Sequence, residues 1–519
     1  MMPGGQRRVA VGWAPLCCVF AAVSLFLLWF YGNRPFFVLD EGILFDAAQR
    51  MLLGKRLYAD FFGYMSPGSY WLQELALRLF GMSLRSGHAM MAFDFALQCA
   101  LVLWLTSRIA SRAAAWGAAI FFFALQASQP CLLIPYHWWD SVTLSFASAA
   151  CCLQGFWSAR RRWWIAGGAL AAAAAFCTPS IGLIAGVTAV WILYRRDIRR
   201  FFGWYSVSGI IVALIALGYM QTTGILSGFV EQMQWLHANY SAVNHAPYGE
   251  INGGYRAILR GISGTVLVFR AGLIVCLAMP AILPILGGVG ATIALLNRRL
   301  RSCLPADVPV EYLALCLAAF VASTYPRPNI THLAFVAPFG YVLVAALISW
   351  YLPAYAGRAA MAVIFPWCVA GFAQIVVPHK SDVRVESPVG TLWVEKSQAA
   401  GLDRLFSYVH HGERLYVHPY MPLFYFLTQA ENASRYPYLQ PSMMTHVDEH
   451  QALAGLEERP PKWILFLRLS PERYLELYPK ATAFRFQAVE EWIERNYALV
   501  DPPVVVEDYA LWRRKGEGQ

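Results

Sequence analysis

Two adjacent acids, Asp40 and Glu41, stand in the stretch Val38-Leu39-Asp40-Glu41-Gly42, about nine residues past an uncharged apolar run. That position puts two carboxylates near a membrane surface, where a carboxylate can take a proton from an incoming hydroxyl or amine. On a helix, adjacent side chains point about 100° apart, so one of the two faces a given acceptor, and spacing does not rank them. The competing reading is a solvated acidic loop, or a helix N-terminus where negative charge is favoured. The segment continues with Asp46, then Gly54-Lys55-Arg56-Leu57-Tyr58-Ala59-Asp60-Phe61, then Ser66-Pro67-Gly68-Ser69-Tyr70-Trp71.

An Asp-Glu pair just after a first span, followed by a helix, a Gly-x-x-x-Tyr-x-Asp turn, a Pro-containing turn and Tyr70-Trp71-Leu72, resembles the start of the GT-C glycosyltransferases that use lipid-phosphate sugars. Protein O-mannosyltransferases and bacterial aminoarabinose transferases are the named relatives. The match covers residues 38–81 well and the apolar pattern to 377 loosely. The resemblance implies that the first acid, Asp40, is the catalytic base and that Glu41 supports it. It also implies substrate contacts from Tyr58, Asp60 and Tyr70. Many bacterial members carry Lys-Pro-Pro before the Tyr-Trp. Here the stretch is Met65-Ser66-Pro67, which weakens a phosphate-binding role at that spot and a close aminoarabinose-transferase match.

A second chemical segment, Tyr325-Pro326-Arg327-Pro328-Asn329-Ile330-Thr331-His332, lies between two apolar runs. Arg-Pro-x-x-x-His before an apolar span resembles a stretch in bacterial members of the same group. An Arg fork suits phosphate, so Arg327 and His332, with Lys55, are expected to hold the phosphate that departs. The plain alternative is a snorkelling Arg and a capping His. A third segment, Pro135-Tyr136-His137-Trp138-Trp139-Asp140, reads first as an interfacial aromatic belt. His137 and Asp140 are its candidates for sugar or metal contact, but two ligands are too few for a metal site. A divalent metal therefore stays open, with no ligands assigned. The loop 222–264 carries Glu231, His237, Asn239, Tyr240, His245, Tyr248, Glu250 and Tyr255, suited equally to sugar or acceptor contact and to a helix lying on the membrane. His410, His411 and His418 have no ligand partners at metal spacing.

These residues need a membrane scaffold. The 519-residue chain is 58% apolar and 14% charged, with mean hydropathy +0.45, far below the roughly 25% charge of a soluble domain. Apolar runs at 9–31, 89–107, 114–130, 138–157, 163–177, 180–194, 203–221, 265–296, 311–325, 333–352 and 359–377 predict about eleven transmembrane helices, with a break at Thr178-Pro179-Ser180. Basic residues recur after every second run: Arg7 and Arg8, Arg108 and Arg112, Arg160 to Arg162, Arg195 to Arg200, Arg298 to Arg301, and Arg358. The positive-inside rule assigns them to the cytoplasm and puts the loop 32–88 and everything after 377 outside. Residues 378–519 carry 16 basic and 19 acidic residues, so the +10 total splits into +13 on residues 1–377 and −3 on the tail. Positive charge confined to the apolar part argues against nucleic acid. All 11 cysteines lie at or before Cys368, most inside apolar runs, where they read as small filler.

The tail, 378–519, predicts a separate small α/β domain, with strands at 414–417, 463–467 and 504–506 and an amphipathic helix over 484–498. The expected architecture is thus a polytopic α-helical membrane protein of GT-C type (1–377) with a C-terminal extracytoplasmic domain. The resemblance implies transfer, with inversion, from a polyprenyl-phosphate sugar to a lipid, glycan or protein acceptor at a bacterial inner membrane. The rival is a transporter or flippase. Against it, no repeated half with matching broken helices is visible, and acids are nearly absent from the apolar runs, Asp94 excepted.

Overall fold

The computed structural model describes residues 11–38, 40–127, 132–251, 254, 264–353, 378–440, 443–470, 472–473 and 486–516, with isolated positions between 355 and 373. Helix α1 (Trp13–Phe30) is apolar along its whole length. The loop after it folds into two amphipathic helices, α2 (Glu41–Leu52) and α3 (Pro67–Phe80). Pro67 occupies the first position of α3, where its missing N–H costs nothing. Next come α4 (Leu84–Ile109), α5 (Arg112–Ala127), α6 (His137–Ser158) and α7 (Arg161–Cys177). Helix α7 stops at Thr178 because Pro179 cannot continue it. Then follow α8 (Leu183–Tyr194), α9 (Phe202–Thr222), α10 (Leu226–Val243), and helices Thr265–Leu296, Val310–Ser323, Ile330–Phe335 and Pro338–Tyr351.

Helices occupy the expected apolar runs through 333–352, while 359–377, Arg358, Arg7 and Arg8 fall largely or wholly outside the described residues. Among the described residues, four helical segments are long and apolar enough to cross a membrane, Trp13–Phe30, Leu84–Ile109, Arg199–Thr222 and Leu277–Leu296, fewer than the expected eleven. Others are too short: the 12 residues of α8 span about 18 Å, against a hydrocarbon core of about 30 Å.

The basic turns gather at one end of the bundle. There Arg108 donates to Gln154 at 2.8 Å, the Trp157 indole to the Asp307 carbonyl at 2.9 Å, Arg195 to Glu311 at 3.1 Å, and Tyr351 to the Leu300 carbonyl at 2.9 Å. The loop holding α2 and α3, the start of α6 and the end of α7 lie at the other end. The Trp138–Trp139 pair is not a lipid-facing belt. Both rings are buried, Trp139 stacks on Phe95 at 5.2 Å, and its indole donates to the Leu132 carbonyl at 2.6 Å.

The tail opens with the hairpin β1 (Val383–Ser387) and β2 (Gly390–Val394). A mixed sheet follows: β3 (Arg414–His418), β4 (Glu431–Asn432), β5 (Trp463–Phe466), β6 (Tyr497–Leu499), β7 (Val505–Val506) and β8 (Tyr509–Arg514), in the order β4-β3-β5-β8-β6 with β7 on β8. Strand β3 pairs in parallel with β4 and β5; β8 pairs antiparallel with β5, β6 and β7. This sheet does not stand alone. Its core residues Phe424, Phe426 and Leu427 share one apolar cluster with Phe37, Phe45 and Ala48, and Tyr436 and Tyr438 share another with Ile43, Leu44 and Phe62. A methyl group at Gly42 would run into the Leu423 backbone, so α2 packs directly on the tail.

That packing makes Asp46 structural. Its carboxylate lies 3.0 Å from the Arg50 guanidinium, both are buried, and Arg50 donates to the Ser434 carbonyl at 2.9 Å. Breaking a buried ion pair from one side costs about 3–5 kcal/mol. Asp46→Asn should therefore sit near the low end of that range, seen as earlier thermal unfolding of the purified protein. Unfolding at the wild-type temperature would show that the pair does not tie α2 to the tail.

Candidate active site

Asp40 is the N-cap residue of α2, yet its side chain caps no amide there. It accepts instead from the Tyr420 hydroxyl at 3.0 Å, across 380 positions of sequence. Burial raises its carboxyl above the usual carboxylate range; the Tyr420 hydrogen bond and the Arg327 charge pull the other way. Tyr64, Tyr136, Tyr240 and Tyr438 also lie within electrostatic reach of this carboxylate. The Tyr420 and Tyr438 rings stand 4.6 Å apart, and the buried Tyr438 hydroxyl has no partner among the described residues. The carboxylate thus has a hydroxylated aromatic surround.

Arg327 sits on the break between helices Val310–Ser323 and Ile330–Phe335. Pro326 and Pro328 keep that stretch out of helix, and Asn329 restarts it by accepting the His332 amide at 3.1 Å. Backbone bonds from Ala246 to the Pro326 carbonyl and from Gly249 to the Pro328 carbonyl brace it. The guanidinium donates to Asn244 at 3.3 Å and bonds Tyr240. His332 also donates from Nδ1 to Asn329 Oδ1 at 2.7 Å; that oxygen already accepts an amide, so the ring must be the donor. Burial, with Arg327 and His137 nearby, pushes His332 down to about 3. Neutral and tied at Nδ1, it offers Nε2 as an acceptor. That suits a hydroxyl better than a phosphate oxygen, which changes the expected role of His332.

Arg327, His332, His137, Trp138, His237 and Tyr240 line a cavity of about 400 Å3, with Tyr64, Met65 and Ser66 on another wall. His137, at the start of α6, is fixed to the end of α7 by a 2.7 Å bond between Nδ1 and Thr178. Asp40 does not line this cavity itself; Tyr64, Tyr240 and Arg327, which do, lie within its electrostatic reach.

The other expected site residues lie elsewhere. Glu41 is fully buried: Oε2 accepts the Phe36 and Phe37 amides at 2.8 and 3.0 Å, and Oε1 is 3.2 Å from His88 Nε2. It fixes the chain around Asp40 and does not face the cavity. Lys55 and Asp60 lie beyond the far end of α2, about 18 Å along a 12-residue helix. Lys55 pairs with Glu431 at 3.8 Å, and Asp60 with Arg56 at 3.1 Å. Neither reaches Asp40. Tyr58 and Tyr70 are buried; Tyr58 donates to the Met65 carbonyl at 2.6 Å and Tyr70 bonds the Met65 backbone amide, so both brace the 61–66 turn. Asp140 is one turn into α6, paired with Asp94 of α4 and Ser69 of α3. In the segment 222–264, His237 and Tyr240 meet the cavity, Asn239 bonds its own helix, Tyr248 donates to the Ala281 carbonyl at 2.8 Å, and Tyr255 lies outside the described residues. His418 is buried between Tyr416 and Glu490. Among the described residues, no group of three or more His, Cys, Asp or Glu side chains is placed to hold a metal ion.

Comparison with known proteins adds the fold. No family model and no curated protein matches the chain. Among solved structures, ArnT from Cupriavidus metallidurans bound to undecaprenyl phosphate superposes with a TM-score of 0.56 at 16% identity, covering 98% of this chain and 99% of that one. Its apo form gives 0.57 at 15% identity, covering 96% and 98%. The arabinofuranosyltransferase AftD from Mycobacteria gives 0.50 at 15% identity, covering 99% of this chain and 40% of AftD. At these identities the likeness shows the architecture alone, and over nearly its whole length this chain shares the architecture of ArnT.

Proposed function

We propose that the protein is a membrane glycosyltransferase that moves a sugar from a polyprenyl-phosphate carrier to an acceptor on the far side of the membrane from its basic turns. The observation that carries this reading is the meeting of Asp40, a raised-affinity proton acceptor, with Arg327 beside one cavity at one end of an apolar bundle. A long isoprenoid tail keeps its carrier in lipid, so the sugar must be reacted at the membrane face. ArnT, with the same fold, was solved with undecaprenyl phosphate.

In the proposed reaction, Asp40 takes the acceptor's proton as its oxygen or nitrogen bonds the anomeric carbon. The bond from that carbon to the phosphate oxygen breaks, the electron pair leaves with the carrier phosphate, and Arg327 stabilises its growing charge. Attack opposite the leaving group inverts the anomeric centre. Neutral His332 and the Tyr64, Tyr136 and Tyr240 hydroxyls suit sugar hydroxyls.

The test is transfer by purified protein in liposomes containing polyprenyl-phosphate sugars. Movement of donor across the bilayer without transfer would favour the flippase reading. Orientation gives a further expected result: with Ser381 and Arg298 each replaced by Cys, position 381 should label from outside and position 298 only from the cytoplasm, as the basic turns require. Both sites reacting from one side would overturn it.

A further inference from the structure

We propose that a second site, at the end of the bundle opposite Asp40, binds one anionic phospholipid. A cavity of about 910 Å3 opens between α1, α4, α6 and α7. Its walls are apolar: Leu16 and Phe20 from α1, Leu97 and Leu101 from α4, and the small Ala147 and Ala150 from α6, which leave the room. Its basic end holds Arg108, Arg162 and Trp163.

Two donors at that end lack protein acceptors among the described residues. Arg108 uses Nη2 on Gln154 at 2.8 Å, but its Nε is buried without a partner, and so is the Trp163 indole N–H. The Arg108 guanidinium is fixed against the Trp104 and Trp157 rings, 5.7 and 5.6 Å from their centroids, and the Arg162 guanidinium lies 5.2 Å from the Trp163 ring. Among the described residues, no carboxylate pairs with either arginine. A buried N–H without an acceptor costs about 1–3 kcal/mol. A phosphate diester satisfies several such donors and neutralises one of the two positive charges.

The apolar length of the groove requires that this phosphate carry hydrocarbon; free phosphate leaves the walls uncovered. The sugar carrier is the wrong lipid. Helix α4 alone, 26 residues or about 39 Å, separates Arg108 from the Asp40 end, where a donor must present its sugar. The inference needs only a membrane-embedded bundle, so it stands apart from the proposed transfer reaction.

The full-length protein, reconstituted with phosphatidylcholine and dioleoyl phosphatidylglycerol and analysed by native mass spectrometry, should keep one phosphatidylglycerol in preference to phosphatidylcholine. Arg108→Gln and Arg162→Gln should each weaken retention about fivefold, the effect of one basic side chain at an anionic surface. Ala147→Phe should displace the lipid by filling the groove with every charge in place. Arg196→Gln, exposed at the same end and outside the cavity, should change nothing. Equal retention by wild type and Arg108→Gln would overturn the site. So would equal retention of phosphatidylcholine, displacement by inorganic phosphate, or stronger binding of undecaprenyl phosphate there.

Discussion

Asp40→Asn should lower sugar transfer by roughly a hundred- to ten-thousand-fold, the range a general base contributes, and leave the protein folded. The side chain makes one hydrogen bond, accepted from Tyr420, and an Asn oxygen accepts it equally well. What the substitution removes is the proton acceptor. Because burial raises the Asp40 carboxyl, wild-type kcat should climb with pH through a limb above the usual carboxylate range, as the base loses its proton. Glu41 supplies the contrast. Gln there keeps an oxygen for the Phe36 and Phe37 amides and offers an N–H to His88, so transfer should stay near wild type. Glu41→Ala leaves two amides and a histidine unpaired in a buried place and should unfold early. If Glu41→Gln is inactive and Asp40→Asn is not, the base is Glu41. If both transfer normally, the glycosyltransferase reading fails.

That contrast also shows what the sequence could carry. Asp40 and Arg327 are legible because each stands at a break in an apolar pattern: one before an amphipathic helix, the other between two prolines. Their approach is expected because hydropathy places both at the same end of the bundle, but with nearly 290 positions between them the groups that join them, such as Tyr240 and Tyr420, are not legible. Glu41 and Asp46 have the residue type of a catalytic acid, and their neutralisation by backbone amides or a guanidinium shows only in three dimensions. Lys55 and Asp60 are adjacent to Asp40 in a loop written out linearly, but a helix intervenes and removes them. Tyr420 and Tyr438 were missed by sequence reasoning. They belong to the tail, whose strands at 414–418 and 463–466 are plain from their apolar runs, and nothing in those runs says that the sheet packs on α2. The one available signal was Tyr beside Pro, at Pro419-Tyr420 and Pro437-Tyr438, in loops of an otherwise ordinary α/β pattern. The break at Pro179 was readable from proline's missing N–H, whereas helix lengths were not, because hydropathy marks apolar runs without marking where packing ends them.

Arg327→Gln should lower kcat by roughly a hundred- to a thousand-fold, the loss typical of removing one donor from a developing anion, with a smaller change in KM. The guanidinium has a second effect, which separates catalysis from mere packing. Its positive charge favours the ionised form of Asp40, so removing it pushes the Asp40 carboxyl further up, and the acid limb of the pH profile should move to higher pH. Tyr420→Phe removes the other group that favours the carboxylate. It should shift the limb the same way, while kcat on the plateau changes far less, because Tyr420 bonds Asp40 and stands on the tail side of it. Lower plateau activity with a displaced limb in Arg327→Gln, and a displaced limb with nearly intact plateau in Tyr420→Phe, is the pattern required of one base and one phosphate anchor sharing a site. An unchanged plateau in Arg327→Gln would remove the anchor, whatever happened to the limb. An unmoved limb in both variants would mean that the titrating base lies somewhere other than Asp40.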